Sequence, residues 1–335
     1  MDTITHIVLG ACIGEIYVGK RIGKRALLLG AVAQSIPDID FIASFFFGPT
    51  ENLLAHRGIT HSLLFALIMV PLLTYFADRW RRPHTIQYNT WLYFFGTEIL
   101  VHLMLDTANA YGTGLLEPFS HVRYSYNTLF VADPFFSIVP GIVTIMLLIN
   151  RTHAKRTIWA IVSIVWCSLY FAMGITNKLT IESTVKAVAL KENLHYNRHF
   201  TSPTPFNNLL WYIILESDSG YYVGYHSVFD KAKEIPFEYR NKNKFLLNNA
   251  MNREDIQHLI LFSQDYYTAE KLHDTLVFND LRFGQVTGWA NAKAGFAFYY
   301  YVDNLKDNDL LVQRGRFKNW NPQTVASLWK RMLGN

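Results

Sequence analysis

The sequence predicts a polytopic α-helical membrane domain over residues 1–175, followed by a soluble α+β domain over residues 176–335. Three observations predict this. Long apolar runs, such as residues 62–77, 128–149 and 157–175, are confined to the first half, whereas the second is polar, charged and rich in Tyr and Asn. The mean hydropathy of +0.09 therefore averages two unlike parts. Finally, ten of the twelve Lys and Arg residues before position 176 fall in three short connections, at 20–25, 78–88 and 150–156, which are every second loop. Basic loops on alternate sides satisfy the positive-inside rule throughout.

About six segments follow, at 4–19, 26–47, 60–77, 89–108, 128–149 and 157–175. Several are shorter than the roughly 20 residues that a bilayer span needs. The second is interrupted: residues 26–36 cover only about 17 Å at 1.5 Å per residue before Pro37 breaks the helix. Broken backbone at membrane depth needs protein or a water-filled cavity around it, so Pro37–Asp40 is expected to line a polar hollow. The charge pattern predicts a multi-pass protein of the plasma (inner) membrane. It places the N-terminus, the 48–59 and 109–127 loops and the C-terminal domain outside the cytoplasm. The two remaining basic residues, Arg57 and Arg123, lie in those outer loops.

The net charge of +5 thus reads as a topology signal, not as a nucleic-acid surface. The two cysteines, Cys12 and Cys167, sit inside apolar segments and provide neither a disulfide framework nor a Cys-rich zinc motif. No basic n-region precedes the first apolar segment, so no secretory signal peptide is expected.

Ionisable groups among apolar segments are expensive and point to function. His102 and Asp106, four apart on a predicted helix, share a face and can ligate one ion or neighbouring ions, with Glu98 one turn earlier. His56 and His61 straddle Gly58 at the start of a span. Imidazole and carboxylate together suit Zn²⁺, Mn²⁺ or Fe²⁺. Asp38 and Asp40 flank Ile39, and in an extended stretch they would point the same way, which cations would have to neutralise. His6 lies at the outer end of the first span. Helix lengths bring these groups together in the outer leaflet. Metal ligands are therefore expected at His6, Asp38, His56, His61, His102 and Asp106, with Asp40 a ligand or a support for one. Arg57 and Arg123 are candidate phosphate contacts or headgroup anchors. The glycines of Tyr111-Gly112-Thr113-Gly114 allow close backbone approach, but the loop lacks the Gly-Lys-Ser/Thr of a P-loop.

These runs carry a resemblance. Thr5-His6, Pro37-Asp38-Ile39-Asp40, the His56–Ser62 run HRGITHS, the His102–Asp106 run HLMLD and the Tyr111–Ser120 run YGTGLLEPFS resemble the YdjM-type membrane-bound metal-dependent hydrolases, also described as LexA-regulated inner-membrane proteins. The resemblance covers most of residues 1–150 and, through residues 203–211, reaches the soluble part. That family is distantly similar to zinc-dependent phospholipases C, whose metals are held by His and Asp. The resemblance implies phosphoester hydrolysis with one to three divalent ions, zinc first among the candidates. A second His-x-x-x-Asp/Glu pair is missing on the outer side.

In the soluble half, residues 178–193 read as a helix, and 210–216 and 221–229 as strands joined by a hairpin through Ser217-Asp218-Ser219-Gly220. Further strands are expected at 275–278, 284–287 and 296–302, with helices at 253–262 and 322–333. His195, His199 and His226 lie among aromatic strands and loops and suggest no second metal centre.

The expected activity is cleavage of a phosphoester in a lipid or lipid-linked substrate by metal-activated water, with Asp40, Arg57 and Arg123 as candidate catalytic residues. The alternative is a metal-transport or metal-sensing membrane protein without hydrolysis. Transport calls for polar residues continuing toward the cytoplasm, where only Glu15, Gln34 and Glu98 are available, so a blind pocket fits better. The absence of His-Glu-x-x-His disfavours an intramembrane metalloprotease, and the absence of Pro-Ser-Gly-His a haloperoxidase-type lipid phosphatase.

Overall fold

A computed structural model describes residues 1–80, 85–149, 155–232, 234–250, 253–272, 274–302 and 320–334. Three of the basic loop residues, Arg81, Arg82 and Arg151, lie outside the described residues. The chain forms two compact units, residues 1–45 with 55–174, and residues 46–54 with 175–335.

The first unit is helical. Helix α1 (Thr3–Ile22) starts at Asp2, whose carboxylate accepts from the Thr5 N–H at 3.0 Å, and ends at Gly23 in a left-handed conformation. Helix α2 (Arg25–Gln34) folds back against it. The two backbones approach closely because Gly10 and Gly30 face each other. A Cβ at Gly30 would stand 2.0 Å from the Gly10 carbonyl oxygen, a distance no side chain tolerates. A nine-residue 3₁₀ helix (Pro37–Phe45) follows, bent by 58° from α2. Pro37 ends the α-helical hydrogen bonding at that point. The short α3 (Pro49–Ala55) falls almost wholly in the 46–54 segment of the second unit; the first unit continues with a 3₁₀ turn (Ile59–His61), α4 (Leu63–Trp80), α5 (Tyr88–Thr107), α6 (Pro134–Ile149) and the first part of α7 (Arg156–Lys191). Glu15 of α1 is buried and receives a two-pronged contact from Arg156 at 2.9 and 2.7 Å, and Arg156 also donates to the Leu147 carbonyl at 2.8 Å. One guanidinium thereby ties α1, α6 and α7 at the end away from His6.

Six spans are not what the structure shows. Among the described residues two helices, α4 and α7, are long and apolar enough to cross a membrane, and a third counts if α2 and the 3₁₀ helix form one bent span. The reason lies in the other helices. Helices α1 and α5 carry buried His6 and Glu15, and Glu98, His102 and Asp106, which lower their hydropathy. Helix α6 has 16 residues, about 24 Å of rise, short of a bilayer core of about 30 Å.

Helix α7 runs 36 residues without a break, its first part to Gly174 in one unit and the remainder in the other. The sequence places a helix end and a new start near 174–178. Beyond Gly174 the helix has neither Gly nor Pro, so the change from apolar to amphipathic composition alters its environment and leaves its hydrogen bonding intact. In the second unit, Ile181, Val185, Val188 and Ala189 of α7 form one helical face, packed on Trp211, Ile213 and Leu215, alternate residues of one strand.

That strand, β2 (Leu210–Glu216), belongs to a four-stranded antiparallel sheet ordered β1 (Arg198–Pro203), β2, β3 (Gly220–Ser227), β4 (Glu238–Asn241). Every residue of β2 is buried. A second sheet holds β5 (Tyr267–Leu272), β6 (Thr275–Gln285) and β7 (Phe296–Tyr301), and helices α8 (Glu254–Phe262) and α9 (Pro322–Met332) complete the described unit. The strands expected at 275–278 and 284–287 are one strand, β6, with an irregular register between Asp280 and Gln285. Strands β1, β4 and β5 have no alternating apolar pattern to announce them: β5 ends in Glu270, Lys271 and Leu272, all exposed.

Replacing Gly30 by Val is expected to overpack the α1–α2 crossing and cost at least about 1–3 kcal/mol. The measurement is the thermal midpoint in detergent, which should fall by several degrees; an unchanged midpoint would contradict this crossing.

Candidate metal centre

Three elements of the first unit deliver the site. His102 and Asp106 lie one turn apart on the last part of α5. Asp38 sits at the start of the 3₁₀ helix after α2, and His61 closes the short 3₁₀ turn before α4. His61 Nε2 and His102 Nε2 are 3.0 Å apart. Asp106 Oδ2 is 3.1 Å from the first and 3.5 Å from the second, and Asp38 Oδ1 is 3.6 Å from each. All four donor atoms fall within 4.8 Å of one another. A tetrahedral ion with ligands at about 2.0–2.1 Å has edges of roughly 3.3–3.4 Å, inside the range of these five distances.

Proton placement points the same way. His102 Nδ1 is 2.6 Å from the Gln34 carbonyl oxygen, which can only accept, so Nδ1 carries the proton and Nε2 a lone pair. His61 Nδ1 lies 3.4 Å from Asp40 Oδ2 and 3.1 Å from Thr60 Oγ1, which leaves its Nε2 the same role. Two imidazole nitrogens and two carboxylate oxygens then face one another in a buried space, where Arg57 and the Met1 amino group offset part of the negative charge and a divalent ion would offset the rest. The donor set therefore fits a divalent ion. Both imidazoles are held through their other nitrogen, as metal-bound histidines are. Two nitrogens and two oxygens near tetrahedral spacing suit Zn²⁺, and the same donors accept Mn²⁺ or Fe²⁺.

The remaining sequence-predicted residues surround this group. His6, fully buried, stacks on His102 with ring centroids 3.9 Å apart, and its Nε2 lies 3.3 Å from Asp106 Oδ1, the oxygen facing away from the other ligands. The Met1 amino group contacts that same oxygen. Asp38 and Asp40 do not point the same way. The segment is 3₁₀, with three residues per turn, so residues two apart diverge by about 240°. Asp38 joins the ligands, while Asp40 Oδ2 accepts from the Arg57 backbone N–H at 2.7 Å and meets His56 Nδ1 at 3.1 Å. His56 is not in the four-residue group, and its side chain is 43% exposed.

Arg57, expected at a phosphate, is buried against the ligands. Its Nε approaches Asp106 Oδ2 obliquely at 3.1 Å, and its Nη1 donates to Asn109 Oδ1 at 2.8 Å. Its backbone is left-handed, φ 58°, which turns its side chain inward as that of His56 turns outward. Arg123 is half-buried and donates to the His56 carbonyl. Sequence reasoning gave no site role to Gln34 or Asn109. The available signals were weak: an amide just before Pro-Asp, and a second amide three residues after Asp106. Among the described residues no other metal-holding group occurs. In the second unit His226 faces Asp230 at 3.1 Å, and His199 is 3.9 Å from Glu182.

The family model described as YdjM inner membrane protein matches residues 1–181, more than half of the chain and all of the residues of the candidate metal centre. The chain belongs to the YdjM inner membrane protein family. Among its relatives, the protein named inner membrane protein YbcI of Escherichia coli K12 is 38% identical over 124 residues, 36% of this chain and 69% of that protein. The uncharacterized protein YfhP of Bacillus subtilis 168 is 30% identical over 148 residues, 41% of this chain and 43% of that protein. No solved structure matches the chain.

Proposed function

We propose that this family member is a multi-pass, metal-dependent hydrolase that cleaves a phosphoester of a lipid or lipid-linked substrate on the extracytoplasmic side of the inner membrane. The observation that carries the proposal is the convergence of His61, His102, Asp106 and Asp38 on one point, with the first three sealed and Asp38 25% exposed at the rim. The exposed carboxylate makes the longest contacts of the four, 3.6 Å to each imidazole, which leaves that side open to a substrate. A divalent ion there would polarise a phosphoryl oxygen and make a water more acidic.

The protein's own groups set up that chemistry. His6 holds Asp106 through Oδ1 and Arg57 meets its Oδ2, and the Gln34 carbonyl fixes the His102 ring. Exposed apolar side chains lie on short, non-α-helical segments: Ile39, Phe41, Ile42 and Phe45 follow Asp38 in the 3₁₀ helix, and Phe119, 82% exposed, lies on the 109–127 loop. Exposed aromatic and aliphatic groups beside a polar centre favour a substrate with acyl or isoprenoid chains.

Topology supports the side. Arg21 of α1 reaches the Thr85 carbonyl at 3.0 Å, so the first two basic connections share one end of the unit, opposite the ligands. With basic loops inside, the metal centre faces out. His121, 73% exposed on the 109–127 loop, reports this directly, because Cys12 and Cys167 are buried. A His121→Cys variant in intact cells should react with a membrane-impermeant maleimide; reaction only after permeabilisation would reverse the orientation.

The activity test is a phospholipid and phosphoester panel with zinc-loaded protein in detergent micelles. Wild type should release phosphate or phosphoalcohol, and His61→Ala should lose at least about 100-fold of that rate, as expected for a group that holds the reacting centre. Retained metal without hydrolysis of any member would favour sensing or transport.

A further inference from the structure

The HRGITHS run supplies two imidazoles, and the fold sends them to different tasks. Asp40 is the divider. Its side chain is almost sealed, and its Oδ2 lies 2.7 Å from Arg57 N, 3.1 Å from His56 Nδ1 and 3.4 Å from His61 Nδ1. The carboxylate accepts from the Arg57 N–H and from His56 Nδ1, so the His56 ring carries a proton on Nδ1, and both rings turn Nε2 away from Asp40. For His61 that direction is the ligand group. For His56 it is the opening: the ring is well exposed, and its Nε2 makes no hydrogen bond among the described residues. The two ring centroids are 6.3 Å apart and inclined at 69°, so the outward imidazole stands one ring away from the inner one.

The chain is fixed at His56 on both sides. Its carbonyl accepts from Arg123, and the left-handed backbone of Arg57 drives the neighbouring side chain inward to Asp106. A residue that bulky in a left-handed conformation points to a local requirement. The result is an imidazole oriented by a buried carboxylate and presented to whatever meets Asp38 at the rim, the arrangement that general acid–base catalysis uses.

We propose that His56 is a catalytic residue facing the substrate, not a metal ligand, and that Asp40 is its positioning residue; this rests on the hydrolase reading above. The step balances as follows. The oxygen of water forms the new bond to phosphorus and releases one proton. The bond from phosphorus to the alcohol oxygen breaks, and its electron pair stays on that oxygen. His56 Nε2 takes up the proton released by the water and passes it to the same oxygen, which gives the free alcohol and leaves the imidazole as it began.

The test compares two phosphodiesters with one phosphoglycerol group and different leaving alcohols: dihexanoylphosphatidylglycerol, which leaves a poor alkoxide, and p-nitrophenyl phosphoglycerol, which needs no acid. Zinc-loaded wild type and His56→Gln are assayed on both, and their bound metal is measured. His56→Gln should keep the wild-type metal content, lose about 100-fold or more on the lipid, and lose less than about 10-fold on the nitrophenyl ester. The retained metal shows that the variant is folded. Loss of metal from His56→Gln would make it a ligand and overturn the proposal, as would equal losses on the two esters. A wild type that holds metal and cleaves neither ester would remove the hydrolase reading, and the acid role with it.

Discussion

Two imidazole nitrogens 3.0 Å apart, both flanked by carboxylate oxygens in a buried space, form a donor set that a divalent ion would hold together. Much of the first unit follows from that constraint. Polar and ionisable groups must be carried on otherwise apolar helices, so α1 and α5 lose the uniform hydropathy of a simple span. The α2 helix must stop early to bring Asp38 to the same point, and Pro37 stops it. The glycine-mediated approach of α1 and α2 lets His6, the Gln34 carbonyl and Asp38 reach the end of α5 together.

Around this centre the fold separates groups that the sequence places side by side. Asp38 and Asp40 divide because 3₁₀ geometry has a period of three, not two. His56 and His61 divide because a left-handed residue and Gly58 lie between them, and Arg57 turns inward by the same device. The guanidinium expected at a substrate phosphate is instead spent on Asp106 and Asn109. The buried Arg57 against Asp106 and the exposed His56 imidazole give this region an inside and an outside.

What was legible in the sequence depended on period and chemistry. The pair His102 and Asp106 could be read because an α-helix puts i and i+4 on one face, and Pro37 could be read as a break because proline cannot continue the ladder. The backbone contact of Gln34 to His102 was not legible, since a carbonyl leaves no residue-type signature. The divergence of Asp38 and Asp40 was hidden because 3₁₀ and extended segments look alike over four residues. In the second unit, the hairpin of β2 and β3 had both an apolar run and turn residues, whereas β1, β4 and β5 are short, polar in part and set by their neighbours. The unbroken α7 shows that a change of solvent along a helix is not a change of secondary structure.

The central claim is that one ion sits among His61, His102, Asp38 and Asp106, and X-ray absorption at the zinc edge of the purified, zinc-loaded protein tests it most directly. The account predicts a first shell of nitrogen and oxygen at about 2.0–2.1 Å with the outer-shell scattering of two imidazoles. A spectrum without imidazole scattering, or a protein that retains no metal after exchange into metal-free buffer, would contradict it.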